Sequence, residues 1–312
     1  MQAMILAAGY GTRLRPYTLI RPKPLFPVLN RPLLPATIER LRNSGCRRII
    51  VNCHHLAGQI GAALAGLAGV ELQEEPAILG TGGSLAQVLD RIDPGAPLLV
   101  CNGDIYHTVD VAALYRQHCA GGLRITMALH HYPRFSKVLV RDGLVTAFDA
   151  PAGSAGTCAY TGIQVIDPQV LRTMDERRPY CIIDHYRQLL AGGEAIGAAV
   201  VAAPNWSDIG TVADYLGLHG DLLSGRKEVW PELQRHTSSS FVVDDQAVVA
   251  AGCRFNDWVC IGKARIGPGA RISRSVLWDG AEVPPHTVVE DRLVVAVSEA
   301  VVGTARPSIE VL

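Results

Sequence analysis

The sequence has no net charge: 29 basic residues balance 29 acidic ones over 312 residues. A generally basic surface for nucleic acid is therefore excluded. No apolar run reaches the ~20 residues of a membrane span, so no membrane partner is expected. Met1–Gly9 lacks a basic leader and runs straight into a strand-like segment, which argues against a signal peptide. The eight cysteines include no Cys-x-x-Cys pair. A chain of this length needs no disulfide staples, so reduced, mostly buried thiols in a cytoplasmic protein are expected.

What is present divides in two. Length suggests roughly two domains, and an apolar content of 48% supplies a sizeable core. From Met1 to about Gly225 strands and helices alternate. Ala3–Ala8 reads as a short apolar strand, Ala36–Asn43 as a helix stopped at Gly45, Arg48–Cys53 as a strand, Leu56–Leu64 as a helix and Leu98–Cys101 as a buried strand. Ser84 with Gln87 three residues on reads as a capping box that opens another helix. This alternation predicts an α/β domain, a Rossmann-like, mostly parallel sheet with helices on both faces. Ligands bind such sheets beyond the carboxyl ends of the strands.

Past about Ser240 the period changes. Apolar residues recur about every six positions, at Val243, Val249, Phe255, Ile261, Ile266, Ile272, Trp278, Val283, Val289 and Val295, with small residues between them. This is the hexapeptide pattern of a parallel β-helix, at about 18 residues per coil and roughly three coils. An ordinary β-sandwich with chance spacing is the alternative. The predicted division is 1–225 for the first domain, 226–240 for a linker and 241–312 for the β-helix.

The segment Leu6-Ala7-Ala8-Gly9-Tyr10-Gly11-Thr12-Arg13-Leu14-Arg15-Pro16 is the most informative. Two glycines after a strand let backbone N–H groups approach a phosphate. The third glycine of a dinucleotide fingerprint is missing, since Leu14 stands there, and so is the Gly-Lys-Ser/Thr of a Walker loop. Fixed positive charge comes next in the chain: Arg13, Arg15, then Lys23 between two prolines that hold it in an extended segment.

Gly9-x-Gly11-Thr12-Arg13-Leu14-Arg15-Pro16 with Pro22-Lys23-Pro24 resembles the signature of the sugar-1-phosphate nucleotidyltransferases, or nucleotide-sugar pyrophosphorylases. The likeness continues through Gly80-Thr81-Gly82-Gly83, Asn102-Gly103-Asp104, Tyr160-Thr161-Gly162 and Trp206-Ser207-Asp208-Ile209-Gly210-Thr211, to about residue 220. The Leu79–Gly83 stretch is most similar to mannose- or heptose-phosphate guanylyltransferases and muramic-acid-phosphate uridylyltransferases, which leaves the base open. Family members with a trailing left-handed β-helix match residues 240–300.

The resemblance implies attack of a sugar 1-phosphate on the α-phosphorus of an NTP, giving a nucleotide sugar and pyrophosphate. A phosphate with a second pKa near 6 is already an anionic nucleophile, so no general base is required. Charge must be neutralised instead, by Mg2+ and basic side chains. The resemblance assigns the metal to Asp104 and Asp208, and the catalytic set to Arg13, Lys23, Asp104 and Asp208. Leu6, Ala7, Ala8, Gly9, Gly11 and Thr12 would wrap the nucleotide together with Arg13, Lys23 and Gly103. Gly80 and Thr81 would contact base or ribose, and Glu75 sits where some uridylyl enzymes read the base with glutamine. Gly162 and Trp206 are assigned to the sugar side, with core packing the alternative for Trp206.

One expected group is missing. Many relatives carry Glu-Lys-Pro, the lysine on the sugar phosphate; here the stretch is Phe148-Asp149-Ala150-Pro151. Lys137 or Arg141 on the neighbouring strand is the candidate substitute. The alternatives to a catalyst are a non-catalytic regulatory subunit that binds nucleotide sugars, and a bifunctional enzyme whose β-helix transfers an acyl group using His236 or His286. The β-helix also offers exposed sides for a homo-oligomer.

Overall fold

The computed structural model describes residues 1–151, 153–174, 179–202, 204–234 and 240–296. His236 and linker residues Thr237–Ser239 lie outside them. The chain forms two compact units. One is Met1–Gly9 with Thr37–Trp206, the other Tyr10–Ala36 with Ser207–Leu312.

The first unit is built on nine strands: β1 (Gln2–Leu6), β2 (Arg48–Cys53), β3 (Val70–Glu74), β4 (Leu98–Asn102), β5 (Ile125–His130), β6 (Val138–Arg141), β7 (Leu144–Ala147), β8 (Thr157–Ile166) and β9 (Ile196–Val200). Their order is β3-β2-β1-β4-β8-β5-β9-β7-β6, with a further β8–β6 pairing. The expected mostly parallel sheet is in fact mixed. The four strands β3-β2-β1-β4 are parallel, as is β5 with β9. The other five ladders are antiparallel. Two causes are visible. β8 runs back through the centre, between β4 and β5. Asp142-Gly143, both at positive φ (51° and 75°), makes the two-residue turn that joins β6 to β7 as a hairpin. The apolar strands pack into a core that includes Met4, Ile50, Leu98, Val100, Ile125, Met127 and Ile166.

Helices α1 (Leu33–Asn43), α2 (Ala57–Leu64), α3 (Gly80–Ala86), α4 (Val111–Gly121), α5 (Ile182–Ala191) and α6 (Val212–Leu223) continue the alternation. Asp110 caps α4 by accepting from Ala113 N–H at 2.9 Å. The capping box at Ser84 does not form. Ser84 lies inside α3, which begins four residues earlier, and its hydroxyl donates back to Gly80 O at 2.7 Å. Gln87 stands at the C-terminal end instead.

In the second unit the strands after residue 240 are β10 (Phe241–Val243), β11 (Val248–Val249), β12 (Arg254–Ile261), β13 (Arg265–Ile266), β14 (Arg271–Leu277), β15 (Glu282–Val283), β16 (Val288–Glu290) and β17 (Leu293–Val294). All their pairings are parallel. Arg254 faces Arg271, which faces Val288; Val248 faces Arg265, which faces Glu282. Left-handed backbone recurs in step, at Gly252, Gly269 and His286 and again at Asp257, Arg274 and Asp291. The repeat is thus 17 residues along most of its length, not 18. Ile261, Ile266, Ile272, Val283 and Val289 point into the stacked core as expected, but Leu277 and Val294 occupy it in place of Trp278 and Val295. Val249 is exposed.

The eight cysteines are free thiols, five of them buried. Among the described residues no helix is long and apolar enough to cross a membrane.

Candidate active site

In the first unit the expected nucleotide residues gather at the carboxyl ends of β1, β2 and β4. Leu6, Asn52 and Asn102 are register partners at those ends. Leu6 O accepts from Gly103 N–H at 2.9 Å. A Cβ on Gly103 would lie 3.0–3.4 Å from Ile5, Leu6 and Ala7, so a side chain would crowd the turn that leads into half-buried Asp104. Gly9 faces open space, so no protein contact demands its lack of a side chain.

A buried polar network connects this loop to the glycine segment after β3. Ala7 N–H donates to Asn52 Oδ1 at 2.7 Å. Asn52 Nδ2 donates to Glu75 Oε1 (2.8 Å) and Ser84 Oγ (3.0 Å). Glu75 Oε2 accepts from Leu79 N–H at 3.4 Å. Asn52 and Glu75 are each 2% exposed. The polar groups of Asn52 are thereby engaged on both sides, and the N–H of Ala7 is spent on protein. Sequence reasoning missed Asn52; the only local signal was a polar residue near the end of a buried apolar strand.

The glycine segment itself is strapped by Tyr180–Ile182. Tyr180 N–H donates to Leu79 O and Gly82 N–H to Tyr180 O, both at 3.0 Å. Ile182 N–H, the first of α5, donates to Thr81 Oγ1 at 2.9 Å. A Cβ on Gly80 would meet Tyr180 O at 2.5 Å, and one on Gly82 would strike the Tyr180 ring at 2.2 Å. These two glycines are fixed by packing against Tyr180, and Thr81 caps a helix distant in sequence.

Of the sugar-side residues, Gly162 adopts φ 82° and a Cβ there would lie 2.7 Å from Asn102 Nδ2. Trp206 is 7% exposed and donates from Nε1 to Thr161 O at 2.8 Å. Its ring packs with His130, Tyr132 and Phe135. Burial lowers the pKa of His130, with the neighbouring His131 adding to the effect. Lys137 is exposed, and its carbonyl accepts from Ala150 N–H at 2.9 Å. It is therefore the backbone neighbour of the position where the lysine is missing. Arg141 ends β6 at the hairpin turn. Arg187 on α5, which sequence reading did not single out, pairs with Asp149 of that same segment and with Asp184.

The second unit holds Arg13, Lys23 and Asp208. Asp208 lies between two cations: Arg13 Nη2 is 3.7 Å from Oδ2 and Lys23 Nζ 3.6 Å from Oδ1. The Lys23 side chain is 8% exposed and that of Arg13 60%. Asp208 Oδ1 is buried and accepts no hydrogen bond. A Cβ on Gly210 would lie 2.7 Å from both Arg13 Nη1 and Asp208 Oδ1, so the glycine makes room for the pair. Thr211 then caps α6, accepting from Asp214 N–H at 3.1 Å. Gly11, at φ 61°, is packed on Thr18, whose hydroxyl donates to Gly11 O at 3.1 Å. Thr12 and Arg15 are exposed.

A glycine-rich turn at strand ends, a carboxylate with a bare oxygen and two converging cations suit an enzyme that handles polyphosphate. The profile of the Nucleotidyl transferase family matches residues 2–225, and the chain belongs to that family. It is similar to the mannose-1-phosphate guanylyltransferase of Mycobacterium tuberculosis, at 29% identity over 305 residues, covering 93% of this chain and 83% of the relative. The mannose-1-phosphate guanyltransferase of Pichia angusta is 31% identical over 317 residues, covering 94% and 86%. Among solved structures, a Bacillus anthracis protein assigned as a glucose-1-phosphate thymidylyltransferase, in complex with a sucrose, superposes with a TM-score of 0.64. At 19% identity, over 75% of this chain and 98% of that one, this likeness shows a shared fold.

Proposed function

We propose that this protein transfers a nucleotidyl group from an NTP to a sugar 1-phosphate, with GTP and mannose 1-phosphate the first pair to try, given the names of the two relatives. The observation that carries the reading is Asp208 held between Arg13 and Lys23 with one oxygen unsatisfied. A sugar-phosphate oxygen bonds to the α-phosphorus as the bond to the β-phosphate oxygen breaks, and pyrophosphate leaves. Arg13 and Lys23 exchange Asp208 for phosphate oxygens and neutralise the charge that builds up in the transition state.

The residues fit magnesium. A hard cation takes one or two carboxylates and completes its shell with phosphates and water. Asp208 offers a bare buried oxygen, and Asp104 a half-buried carboxylate directly after a strand-end glycine. When bound, the ion adds positive charge on the triphosphate. In this reading Ala8, Gly9, Gly11 and Gly103 shape the phosphate turn, while Leu6 and Ala7 fix its base through their own bonds to protein. Glu75, Gly80 and Thr81 set the height of the base-binding segment. On the acceptor side, Lys137 supplies the cation absent at Ala150, Gly162 keeps the floor clear, and Trp206 braces it through Thr161.

The strands after residue 240 are best read as a short left-handed parallel β-helix. The 17-residue register and its recurring left-handed corners support this. The division 1–225, 226–240 and 241–312 goes with that reading, as do a cytoplasmic location and a homo-oligomer formed through exposed sides of the coils. His286 is an exposed corner residue stacked on Gly269, which supports a turn role over an acyl-transfer base. The missing lysine at Ala150 favours one second reading, a non-catalytic nucleotide-sugar-binding subunit. Pyrophosphate release from GTP, UTP, dTTP and CTP with mannose, glucose, heptose and muramic-acid phosphates and Mg2+ decides between them. Turnover with any pair establishes the catalyst, and nucleotide-sugar binding without turnover establishes the subunit.

A further inference from the structure

Arg13 and Lys23 sit on a 27-residue segment, Tyr10–Ala36, that before the start of α1 at Leu33 contains only short elements. These are a 3-10 turn at Thr12–Leu14, one helical turn at Tyr17–Ile20, a 3-10 turn at Lys23–Leu25 and two-residue strands at Pro27–Val28 and Arg31–Pro32. Elements this short do not hold their own shape in water. The segment that places the two phosphate cations must be held from outside.

Within the second unit it is held by the strands after residue 240 and by α6. Trp278, one residue beyond β14, is turned out of the stacked core and is 3% exposed. The Phe26 ring meets it edge-on, centroids 4.7 Å apart, and Tyr17 lies 6.3 Å away. The Arg21 guanidinium sits 4.6 Å over its face. Trp278 Nε1 donates to Tyr215 Oη at 3.0 Å, and Tyr215 in turn donates to Pro27 O. Three residues that bracket Lys23 in sequence, Arg21, Phe26 and Pro27, thus meet at one indole or its hydrogen-bond partner. A second anchor lies three residues past Pro27: Asn30 Nδ2 donates to Ile261 O at 2.6 Å, and Cys260 Sγ donates to Asn30 Oδ1 at 3.1 Å.

We propose that Trp278 is a positioning residue for the nucleotide phosphates: through Arg21, Phe26 and Tyr215 it fixes the height of Lys23 beside Asp208. The strands after residue 240 then serve the chemistry directly. Their hexapeptide-like run sends one aromatic outward, where a uniform repeat would send it inward, and that side chain seats the cation segment. This inference rests on the reading of Lys23 and Arg13 as triphosphate ligands.

The test uses the full chain with two readouts. Calorimetry measures binding of each of the four NTPs with Mg2+, and pyrophosphate release gives kcat and both KM values for the active pair. Trp278→Ala is expected to weaken NTP binding ~10-fold or more, with the KM for sugar 1-phosphate within about twofold of wild type. Trp278→Phe keeps the edge-on contacts and loses the bond to Tyr215, so it is expected to fall between. Asn30→Ala removes the second anchor without touching the indole and is expected to shift NTP binding in the same direction, which keeps the inference testable should Trp278→Ala not fold. Unchanged NTP binding in Trp278→Ala or in both milder variants overturns it. So does a loss spread equally over both substrates, or a fall in active fraction at constant affinity; either would make Trp278 merely structural. A wild-type protein that binds no NTP overturns the functional reading together with this one. Wild-type binding that the variants retain overturns this one alone.

Discussion

The two units hold their candidate residues by different physical means. The first sets shape with short, buried, neutral donors: the bonds around Asn52 are 2.7–3.0 Å long and nothing charged but Glu75 takes part. The second sets charge, with ion pairs of 3.6–3.7 Å that no hydrogen bond completes at Asp208 Oδ1. Short buried bonds resist change, because a lost partner leaves a desolvated group unpaired. Loose pairs around a bare oxygen can exchange partners when phosphate arrives. In the proposed function, one unit is built to stay as it is and the other to be rearranged by phosphate.

Four measurements would break or sharpen this contrast. The largest effect is expected from the charges. Asp208→Ala and Asp104→Ala should each lower kcat by about 10³-fold or more, a size typical of removing a group that stabilises transition-state charge. Near-normal turnover in either variant removes that residue from the site. Circular dichroism should show both folded.

Asn52→Ala should act on shape. It leaves Ala7 N–H and Glu75 Oε1 without this partner, so urea unfolding should show a loss of ~1–3 kcal/mol, and the KM for NTP should rise more than that for sugar 1-phosphate. An unchanged stability would mean that the network carries no strain when cut, and the contrast with the charged unit would fall.

Acid should reach both units through buried imidazoles. Burial pushes His219 down to about 4 and His107 down to about 3. A histidine whose folded pKa lies below its unfolded value contributes fully above about 6.5 and loses its contribution as pH falls below that. His219 Nε2 accepts from Leu29 N–H at 3.3 Å, and its Nδ1 faces Tyr215 O at 3.0 Å. A proton on Nε2 would set two donors against each other. For His219 alone, stability should be about 2 kcal/mol lower at pH 5 than at pH 7. His219→Gln should flatten that slope in urea unfolding at the two pH values; an equally steep slope would assign the acid sensitivity elsewhere.

The smallest effect is expected at Lys137, which is exposed. Lys137→Ala should raise the KM for sugar 1-phosphate about fivefold, leaving that for NTP unchanged. If it leaves both unchanged, Arg187, which already reaches Asp149, becomes the cation to substitute next.

What could be read from the sequence was whatever a short window contains. Gly9-x-Gly11, Arg13 and Pro22-Lys23-Pro24 carried the family resemblance locally, and the strand–helix alternation pointed to an α/β fold. Asn52 was illegible because its partners lie 23 and 32 residues away. The direction of β8 was illegible because no local pattern tells an antiparallel central strand from a parallel one. Ser84 misled because a Ser-x-x-Gln spacing fits a helix interior as well as a helix start. Trp278 misled because a repeat counted in sixes drifts by one residue when the strand register repeats every 17.

The composition of the second unit bears on how the protein comes into being. Asn30 closes on Ile261, 231 residues later, and Tyr17 on Leu293, 276 residues later. A ribosome releases the cation segment early and its supports last, and a chain grows at roughly 5–20 residues per second. Arg13 and Lys23 therefore wait through most of synthesis without a seat. An interrupted or clipped product would carry the motif without these supports, so in the proposed reading nucleotide affinity doubles as a report that translation reached the strands after residue 240.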